Sequence, residues 1–368
     1  MNRANVTIKV PGKLMIAGEY AILSTGYPAI VIAVNRYVTI RIHSSECYQL
    51  YDLSSNLSEV TWRLNDDGRV LGLKGEKYSF IKAAIEIACQ FLKEKEQVII
   101  PFHLQIQNGL NDILSGKKYG LGSSAAIVVG VISAILAFHD QDPEKEKLVL
   151  YKLACLAHLK CQGNGSGADI AAAIYGGWLC YYRYDLAWLI HKIKDEKVSL
   201  VKLVSSIWPN LCIEKIIPPA NLSLLVGWTK HSVKTSPLVE RIEAFQKRET
   251  KLYEGFLELS KAATLEFVKA CELKEEAGIL DAVHLNRIAL QVLSNISQIQ
   301  LETKEIKTLC DIADRYGKSK FSGAGVGDCG IAFLREGNKS KDLEEEWKQA
   351  GIVPLDLEIS EGGLIKIN

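Results

Sequence analysis

The chain has 368 residues, of which 48% are hydrophobic and 24% charged, an ordinary composition for a globular protein and enough for two domains. Its 44 Lys and Arg residues almost balance its 43 Asp and Glu residues, which excludes a general attraction to nucleic acid or to acidic membranes. Nine scattered cysteines without a CxxC pair indicate a reducing, cytoplasmic location, and we expect neither a signal peptide nor a membrane-spanning segment.

The first half of the chain alternates between strand-like and helix-like patterns. Apolar residues at every second position predict strands, and an amphipathic pattern over Tyr78–Lys93 predicts a helix. We expect Pro11-Gly12-Lys13 to end the first strand. The predicted elements are strands at 6–10, 29–42, 48–53 and 60–64, a helix at 78–93, a strand at 101–107, helices at 127–139 and 145–161, a short small-residue segment at 171–175 and a strand at 178–183.

The segment 185–219 is only loosely patterned and contains Trp208-Pro209 and Pro218-Pro219, so we place the domain boundary there. This gives an N-terminal domain of residues 1–215 and a C-terminal domain of residues 216–368. Beyond the boundary we predict a strand at 222–228, helices at 238–271, 281–299 and 302–316, a strand at 330–334, a helix at 341–349 and a strand at 352–359. The whole pattern is that of an α+β protein.

The stretch from Ser115 to Ala126 joins a predicted strand to a predicted buried helix through Gly120 and Gly122. Such a turn directs free N–H groups toward an anion at the positive end of the helix dipole. Lys117 and Lys118 add positive charge beside it, and the hydroxyls of the two following serines could reach a bound Mg²⁺. The stretch therefore predicts a polyphosphate site; the alternative is a glycine turn with an ordinary serine cap.

Candidate chemistry lies in three regions that are far apart in the sequence. They are residues 11–20, residues 116–126 together with 163–177, and residues 322–330, each with glycine next to polar side chains. The chain has neither a GxxxxGK[ST] motif nor a GxGxxG that opens a βαβ unit, and it has no HExxH. The common nucleotide-binding and zinc-protease motifs are therefore excluded.

Three strings resemble the signature motifs of the GHMP kinases, the family named for galactokinase and for homoserine, mevalonate and phosphomevalonate kinases. They are PGKLMIAGEYAIL (11–23), YGLGSSAA (119–126) and FSGAGVGDCG (321–330), in the order in which the family carries them. Within the family, these strings and GNGSGADIAA (163–172), YGGW (175–178) and GWT (227–229) are most similar to bacterial phosphomevalonate kinases.

The resemblance implies a fold and an activity. The fold would combine an N-terminal domain like domain 2 of ribosomal protein S5 with a C-terminal ferredoxin-like α/β sandwich, with the active site in the cleft between them. The activity would be transfer of the ATP γ-phosphate to (R)-5-phosphomevalonate, which gives (R)-5-diphosphomevalonate and ADP in the mevalonate route to isoprenoids. Mevalonate or a sugar as acceptor, and a catalytically silent ligand sensor, are the alternatives. We expect ATP, Mg²⁺ and a small-molecule acceptor as ligands, and a monomer or homodimer.

The resemblance also implies a nucleotide site and a catalytic pair. Lys13 would offset negative charge on the transferring phosphoryl group, and Asp169 would lie near Lys13 and orient the acceptor or act as a base. Ser124 would ligate Mg²⁺. The residues expected to hold ATP are Lys118, Gly120, Leu121, Gly122, Ser123, Ser124 and Ala125.

A further set of residues is expected to face the acceptor. Glu19 would contact a substrate hydroxyl or cap the following helix, and a basic segment after Trp228 would be a phosphate clamp or a solvated loop. Val326 stands where the family has glycine, so we expect a backbone φ that suits a β-branched residue. His158 is expected to pack rather than to bind metal. The acceptor set is Glu19, Tyr20, Lys117, Ser166, Gly167, Ser232, Gly323, Ala324 and Gly325.

Overall fold

The protein is described here by a computed structural model that covers residues 5–53, 59–112, 114–195, 198–231, 235–335 and 340–367. These residues form thirteen strands and eleven α-helices. The strands are β1 Val6–Ala17, β2 Pro28–Ser44, β3 Tyr48–Asp52, β4 Val60–Leu64, β5 Val70–Leu71, β6 Phe102–Asn108, β7 Trp178–Tyr182, β8 Cys212–Ile216, β9 Leu222–Trp228, β10 Lys318–Phe321, β11 Cys329–Arg335, β12 Val353–Leu355 and β13 Ile365–Ile367. The helices are α1 Ser79–Glu94, α2 Ser123–Phe138, α3 Lys147–Gln162, α4 Ala168–Tyr175, α5 Leu186–Lys194, α6 Leu200–Ser205, α7 Thr235–Arg248, α8 Thr250–Leu273, α9 Glu276–Ser297, α10 Lys304–Ala313 and α11 Ser340–Gln349.

Nine strands of the described chain form the larger sheet, in the order β13-β1-β2-β6-β3-β4-β5, with β7 paired to β2 and β8 paired to β7. The long β2 makes this branching possible, because Pro28–Ile32 pair with β7 whereas Val38–Ser44 pair with β6. Helices α1 to α4 pack with one another, and α2 and α4 also pack on β1 and β2. This sheet and its helices form the N-terminal part of the predicted α+β fold, which is confirmed.

The first strand does not end where the sequence predicted. Pairing of β1 with β2 continues through Pro11 and Gly12 to Ala17, with register shifts between Pro11 and Gly12 and between Met15 and Ala17. A β-bulge adds an unpaired residue without ending the strand. The prediction that the Pro-Gly pair ends the strand is therefore wrong. Lys13 consequently lies within β1, opposite Ala33 of β2, and its backbone position is fixed by the sheet.

Four strands form the second sheet, in the order β10-β11-β9-β12. Alternate residues of β11 belong to two different apolar clusters. Ile331 and Phe333 join the cluster of the larger sheet, whereas Ala332 and Leu334 join a cluster built with α10 and α11. The second sheet therefore has a buried surface on both sides, and one side faces the N-terminal domain.

Three aromatic side chains connect the two parts of the molecule. Trp178 of β7 lies 6.0 Å from Phe267 of α8 and 6.1 Å from Phe333 of β11, measured between ring centroids, and Phe267 and Phe333 are 6.0 Å apart. All three are buried. Such contacts add to the free energy of ordinary apolar burial, so the junction is a packed core.

Several elements in the described chain were not predicted. The segment 185–219 contains α5, α6 and β8, and the predicted helix at 238–271 is divided into α7 and α8 at Glu249. The short β10 and β13 were also missed. No helix among the described residues has the length and apolar content needed to span a bilayer.

The C-terminal residues return to the N-terminal sheet. β13 pairs antiparallel with β1, and Asn35 N and Ser360 N bond to Glu358 O and Ala33 O at 2.9 and 3.0 Å. The domain boundary at 215/216 stays a prediction. It assigns the last residues of the chain to the C-terminal domain, although they pair with strands of the N-terminal domain. β13 is too short to show a clear alternation, which explains why the sequence did not predict it.

Gly363 tests this return of the chain. Its φ is +65°, and an added Cβ would lie 2.3 Å from Ile174 O. We expect Gly363→Ala to lower the free energy of unfolding by more than about 1 kcal/mol, measured by urea denaturation. Gly362→Ala is the matched control, because its Cβ would meet no atom within 4 Å, and its change should stay within about 0.5 kcal/mol. Equal effects of the two substitutions would contradict this docking.

Candidate active site

The segment of residues 118–124, the glycine loop, leads into the N-terminus of α2. Gly122 is the N-cap, with a φ of 77° and a ψ of 34°, a left-handed conformation that side chains disfavour. Ser123 Oγ accepts a bond from Asn108 Nδ2 at 2.7 Å, which ties the helix start to the end of β6. The first N–H groups of α2 lack acceptors within the helix, so the loop presents them as an anion site.

Lys13 lies against this loop. Its N–H donates to Leu121 O at 2.9 Å, and a Cβ added to Gly122 would lie 2.9 Å from Lys13 Cγ. The ammonium group is 3.5 Å from Gly120 O, within hydrogen-bonding reach. The strand and the glycine loop therefore hold one positive charge beside the helix N-terminus, as the predicted role of Lys13 requires.

A second glycine turn, residues 163–167, precedes α4 and Asp169. Gly167 is the N-cap of α4, and Asp169 lies in the first turn, where a carboxylate interacts favourably with the helix dipole. Asp169 Oδ1 accepts from Ile170 N at 3.0 Å. Asp169 and Lys13 form no ion pair in the described part of the chain, although α4 packs on β1. Their proximity during the reaction stays a prediction.

Two side chains that the sequence analysis did not select hold the 163–167 turn. Tyr181 OH donates to Ser166 O at 2.6 Å, and Arg183 donates to Gly165 O at 2.9 Å and to Leu23 O at 3.0 Å. Arg183 is buried. Tyr181 lies in β7 and Arg183 directly follows this strand, so the larger sheet holds the turn in place. These two contacts with the turn span 15 and 18 residues, so no local sequence pattern indicated them.

The third glycine turn, residues 322–328, connects β10 to β11. It meets the glycine loop directly: Cys329 Sγ donates to Tyr119 O at 3.0 Å, and a Cβ added to Gly120 would lie 2.8 Å from Asp328 Oδ2. Thr229 N and Oγ1 both donate to Asp328 O, at 3.0 and 3.1 Å. With Lys13 beside the glycine loop and Ser322 bonded to Met15, residues of all three predicted regions meet here, and the structure adds Asp328, which was not predicted.

Val326 corrects one expectation. Its φ is 60°, in the left-handed region, whereas the sequence analysis expected a φ suited to a β-branched residue. Val326 N donates to Leu301 O at 2.8 Å, and Gly325 lies so close to Leu301 O that a Cβ would be 2.5 Å away. The close approach to Leu301 sets the path of the turn, and the valine adopts the strained conformation that this path imposes.

Glu19 and Tyr20 are buried next to the same turn. The Glu19 carboxylate pairs with Lys320 Nζ and accepts from Gly323 N at 3.4 Å. Tyr20 OH donates to Ala324 O, and burial raises the pKa of this phenol well above its usual value. Neither side chain caps the short 3₁₀ helix Ala21–Leu23 by a side-chain hydrogen bond. The structure therefore places both next to the third turn.

The expected cations lie at the rim of the glycine loop. Lys117 and Lys118 are exposed, and Lys117 Nζ donates to Lys230 O at 3.2 Å, which links the loop to the end of β9. Ser232 lies outside the described residues, so its predicted contact with the acceptor stays a prediction. His231 is exposed, and its carbonyl accepts from Asp328 N at 2.6 Å.

His158 packs, as expected. It is buried, its ring lies 5.0 Å from that of Phe80, and a Cβ added to Gly165 would be 2.9 Å from Nδ1. Burial lowers the pKa of His158, and the nearby Asp169 carboxylate opposes that shift. The ring is therefore a neutral support beneath the 163–167 turn at neutral pH.

A cavity of about 480 Å³ opens beside the glycine loop. It is lined by residues of β2, of the end of β6 and of the segment before the loop: Arg36, Tyr37, Gly109, Asn111, Asp112 and Tyr119. The Arg36 guanidinium lies 4.5 Å from the centre of the Tyr119 ring, whose hydroxyl donates to Asp112 Oδ1 at 3.0 Å. The cavity has a size and an aromatic lining that suit a planar ring.

The chain is similar in sequence and in fold to known proteins. The family models for the GHMP kinases N terminal domain and the GHMP kinases C terminal match residues 79–177 and 267–353. A phosphomevalonate kinase of Streptomyces sp. (strain CL190) is 30% identical over 94% of this chain and 95% of its own. The mevalonate kinase of Pyrococcus abyssi is 25% identical over 98% and 97%.

Two solved structures superpose over nearly the whole chain. The Lin0012 protein of Listeria innocua has a TM-score of 0.92 and 37% identity, and covers 99% of this chain and 100% of its own. The phosphomevalonate kinase of Streptococcus pneumoniae, in complex with phosphomevalonate and AMPPNP, has a TM-score of 0.84 and 28% identity over 97% and 100%. The chain belongs to the GHMP kinase family.

Proposed function

We propose that the protein is an ATP-dependent phosphomevalonate kinase, which transfers the ATP γ-phosphate to 5-phosphomevalonate. The observation that carries the proposal is the meeting of the α2 N-terminus, Lys13 and the 322–328 turn at one place in the fold. The names of the Streptomyces and Streptococcus relatives support phosphomevalonate as the acceptor.

The glycine loop has the properties that phosphoryl transfer demands. Phosphate oxygens bind to N–H groups at a helix N-terminus, and the left-handed Gly122 lets the backbone approach them without a Cβ. Lys13 supplies the positive charge that the equatorial oxygens need as the γ-phosphoryl group moves. The α- and β-phosphates would therefore rest on residues 120–125, with the γ-phosphate directed toward Lys13.

The cavity next to the loop would hold the nucleobase. Tyr37 and Tyr119 contribute to its wall, and Arg36 supplies a planar cation there. Because the cavity adjoins the glycine loop through Tyr119, one nucleotide can place its base in the cavity and its phosphates on α2. A single ligand would then contact the glycine loop, the residues just before it, and Arg36 and Tyr37 of β2.

The acceptor determines what Asp169 has to do. The second pKa of a phosphate monoester is about 6, so the attacking oxygen of phosphomevalonate is already largely deprotonated at pH 7. Asp169, in the first turn of α4, then orients the acceptor rather than removing a proton. With mevalonate, the alternative acceptor, the same carboxylate would serve as the base for an alcohol.

A Mg²⁺ ion fits the donors of the site. Among the described residues there is no cluster of His, Cys, Asp or Glu that could form a complete protein cage for a metal. Mg²⁺ commonly takes one or two protein oxygens and fills its other positions with phosphate and water. Ser124, half-buried at the start of α2, would provide the hydroxyl ligand. When bound, the ion would screen the charge of the β- and γ-phosphates.

The location that we propose is the cytoplasm, where ATP is supplied and thiols stay reduced. All nine cysteines are free, and eight of them lie on described strands or helices. A monomer or a homodimer is equally compatible with this proposal.

Lys13→Met removes the charge and keeps most of the side-chain volume. We expect kcat to fall at least about a hundredfold while ATP still binds, because the lost interaction is strongest in the transition state. Steady-state kinetics and a fluorescent nucleotide titration measure the two effects. Lys9→Met, on the same strand and away from the loop, is the control and should keep normal turnover. Unchanged turnover of Lys13→Met would remove Lys13 from the mechanism.

A panel of acceptors tests the substrate. ADP release is measured with 5-phosphomevalonate, mevalonate, galactose and homoserine at equal concentrations. We expect kcat/KM to be highest for 5-phosphomevalonate by at least about a hundredfold, since a cationic site built for a second phosphate leaves its charges unpaired with acceptors that lack a phosphate. Turnover with mevalonate alone would replace the proposed acceptor by its alternative, and absence of ATP turnover would favour a silent ligand sensor.

Ser124→Ala tests the metal ligand. We expect the Mg²⁺ concentration for half-maximal activity to rise about tenfold or more, because one of the few protein oxygens available to the ion is lost. Ser133→Ala, later on the same helix and bonded to Val129 O, is the matched control. An identical metal titration for Ser124→Ala and the unaltered protein would exclude Ser124 as a ligand.

A further inference from the structure

Glu19 and Lys320 form a buried ion pair between residues that are 301 positions apart. Their side chains are 2% and 0% exposed. Glu19 follows β1 of the larger sheet, and Lys320 lies in β10 of the second sheet, so the pair joins the two parts of the molecule. Lys320 Nζ also donates to Phe321 O at 2.6 Å, immediately before the 322–328 turn.

The Glu19 carboxylate is fully occupied by protein groups. Oε1 accepts from Lys320 Nζ and from Gly323 N, the latter at 3.4 Å. Oε2 accepts from Asn286 at 3.2 Å, with the amide oriented so that its oxygen accepts from Gly18 N at 3.3 Å. A carboxylate with partners on both oxygens and almost no exposure is poorly placed to bind an acceptor hydroxyl.

Tyr20 reaches the same turn from the adjacent position. Its hydroxyl donates to Ala324 O, and its own carbonyl accepts from Tyr253 OH at 3.4 Å. Its φ of 62° and ψ of −46° are unfavourable for a tyrosine. That conformation directs the ring into the cluster of α7 and α8 residues in the C-terminal part, whereas the preceding Glu19 faces Lys320.

Ser322, the first residue of the turn, is also bonded to the end of β1. Ser322 Oγ accepts from Met15 N at 3.0 Å and donates to Met15 O at 2.9 Å, as a neighbouring strand would. Residues 322, 323 and 324 are thus held by Met15, Glu19 and Tyr20, all from the end of β1 or just after it. We call these contacts, together with the Lys320 pair, the clasp.

The clasp differs from an ion pair that only adds stability. Glu86 and Lys160 form another pair with a buried carboxylate, but this carboxylate accepts its backbone bond from Val70 N of β5, in the larger sheet, and not from the 322–328 turn. The Glu19 pair instead bonds to the backbone that follows β10 and faces the glycine loop. Burial lowers the pKa of Lys320, and the adjacent Glu19 carboxylate opposes this shift.

We propose that Glu19 and Tyr20 are positioning residues, which hold the 322–328 turn against the glycine loop from the N-terminal domain. They act through the turn and not by contact with substrate. The expected effect on kcat rests on the proposed function, whereas the contacts that hold the turn do not depend on it. Since the 322–328 turn meets Gly120 and Cys329 meets Tyr119, a small displacement of the turn changes the distance between the two sides of the site.

Amide hydrogen exchange of the ligand-free protein tests the clasp independently of any acceptor. We expect Tyr20→Phe to speed exchange of peptides covering 320–329 about fivefold or more, the factor that corresponds to one typical hydrogen bond. The double variant Glu19→Gln with Lys320→Met removes both buried charges together, so it avoids an unpaired ion, and should show the same effect. Both variants should lower kcat with phosphomevalonate about tenfold to a hundredfold and leave the KM for ATP within about twofold.

Glu86→Gln is the matched control, which should change exchange near Val70 and leave that of 320–329 as it was. Unchanged exchange at 320–329 in Tyr20→Phe and in the double variant would overturn the proposal, whatever the kinetics show. Equal acceleration of 320–329 in Glu86→Gln would also overturn it, since the effect would then be global. Faster exchange together with turnover of a different acceptor would support the clasp and reject the proposed substrate.

Discussion

Gly120 and Asp328 lie so close together that a single added carbon would not fit between them, and the rest of the site depends on this approach. A Cβ on Gly120 would be 2.7 Å from Asp328 Cβ and 2.8 Å from its Oδ2. Two glycine-containing turns, separated by about two hundred residues, therefore share one surface. The N-terminal domain contributes the helix dipole and Lys13, and the C-terminal domain contributes the opposite wall.

The fold explains why this approach is stable. The Trp178, Phe267 and Phe333 rings pack at the junction, and the C-terminal strand β13 pairs with β1, so the two parts of the molecule are joined at two places. Lys13 lies on that strand and Glu19 follows it. One strand thus carries the charge that acts on the phosphoryl group and leads into the residues of the clasp.

Much of this architecture could be predicted from the sequence, and the failures have physical causes. The long α1 was predicted because its apolar residues repeat with the helix period, and β2 because it is a long run rich in β-branched residues. The elements α5, α6, β8 and β13 were not predicted because each is too short to show a clear apolar periodicity. The Pro11-Gly12 pair was read as a stop, whereas a register shift carries β1 past it.

The candidate site was predicted in part, and the difference follows from sequence distance. Resemblance of short motifs identified the glycine loop, Lys13 and Asp169, because each lies in a contiguous string. Partners that meet only in the folded chain left no local signal: Lys320 beside Glu19, Arg183 beside Gly165, and Asp328 beside Gly120. The backbone of Val326 could not be predicted for the same reason, since its φ is imposed by a contact with Leu301, which is distant in the sequence.

A crystal structure of the protein with 5-phosphomevalonate and a non-hydrolysable ATP analogue would show where the phosphoryl group lies. We expect the γ-phosphate between the N–H groups of residues 122–125 and the 322–328 turn, with Lys13 Nζ within hydrogen-bonding distance of it. A nucleotide bound away from the α2 N-terminus, or a γ-phosphate out of reach of both Lys13 and that turn, would contradict it.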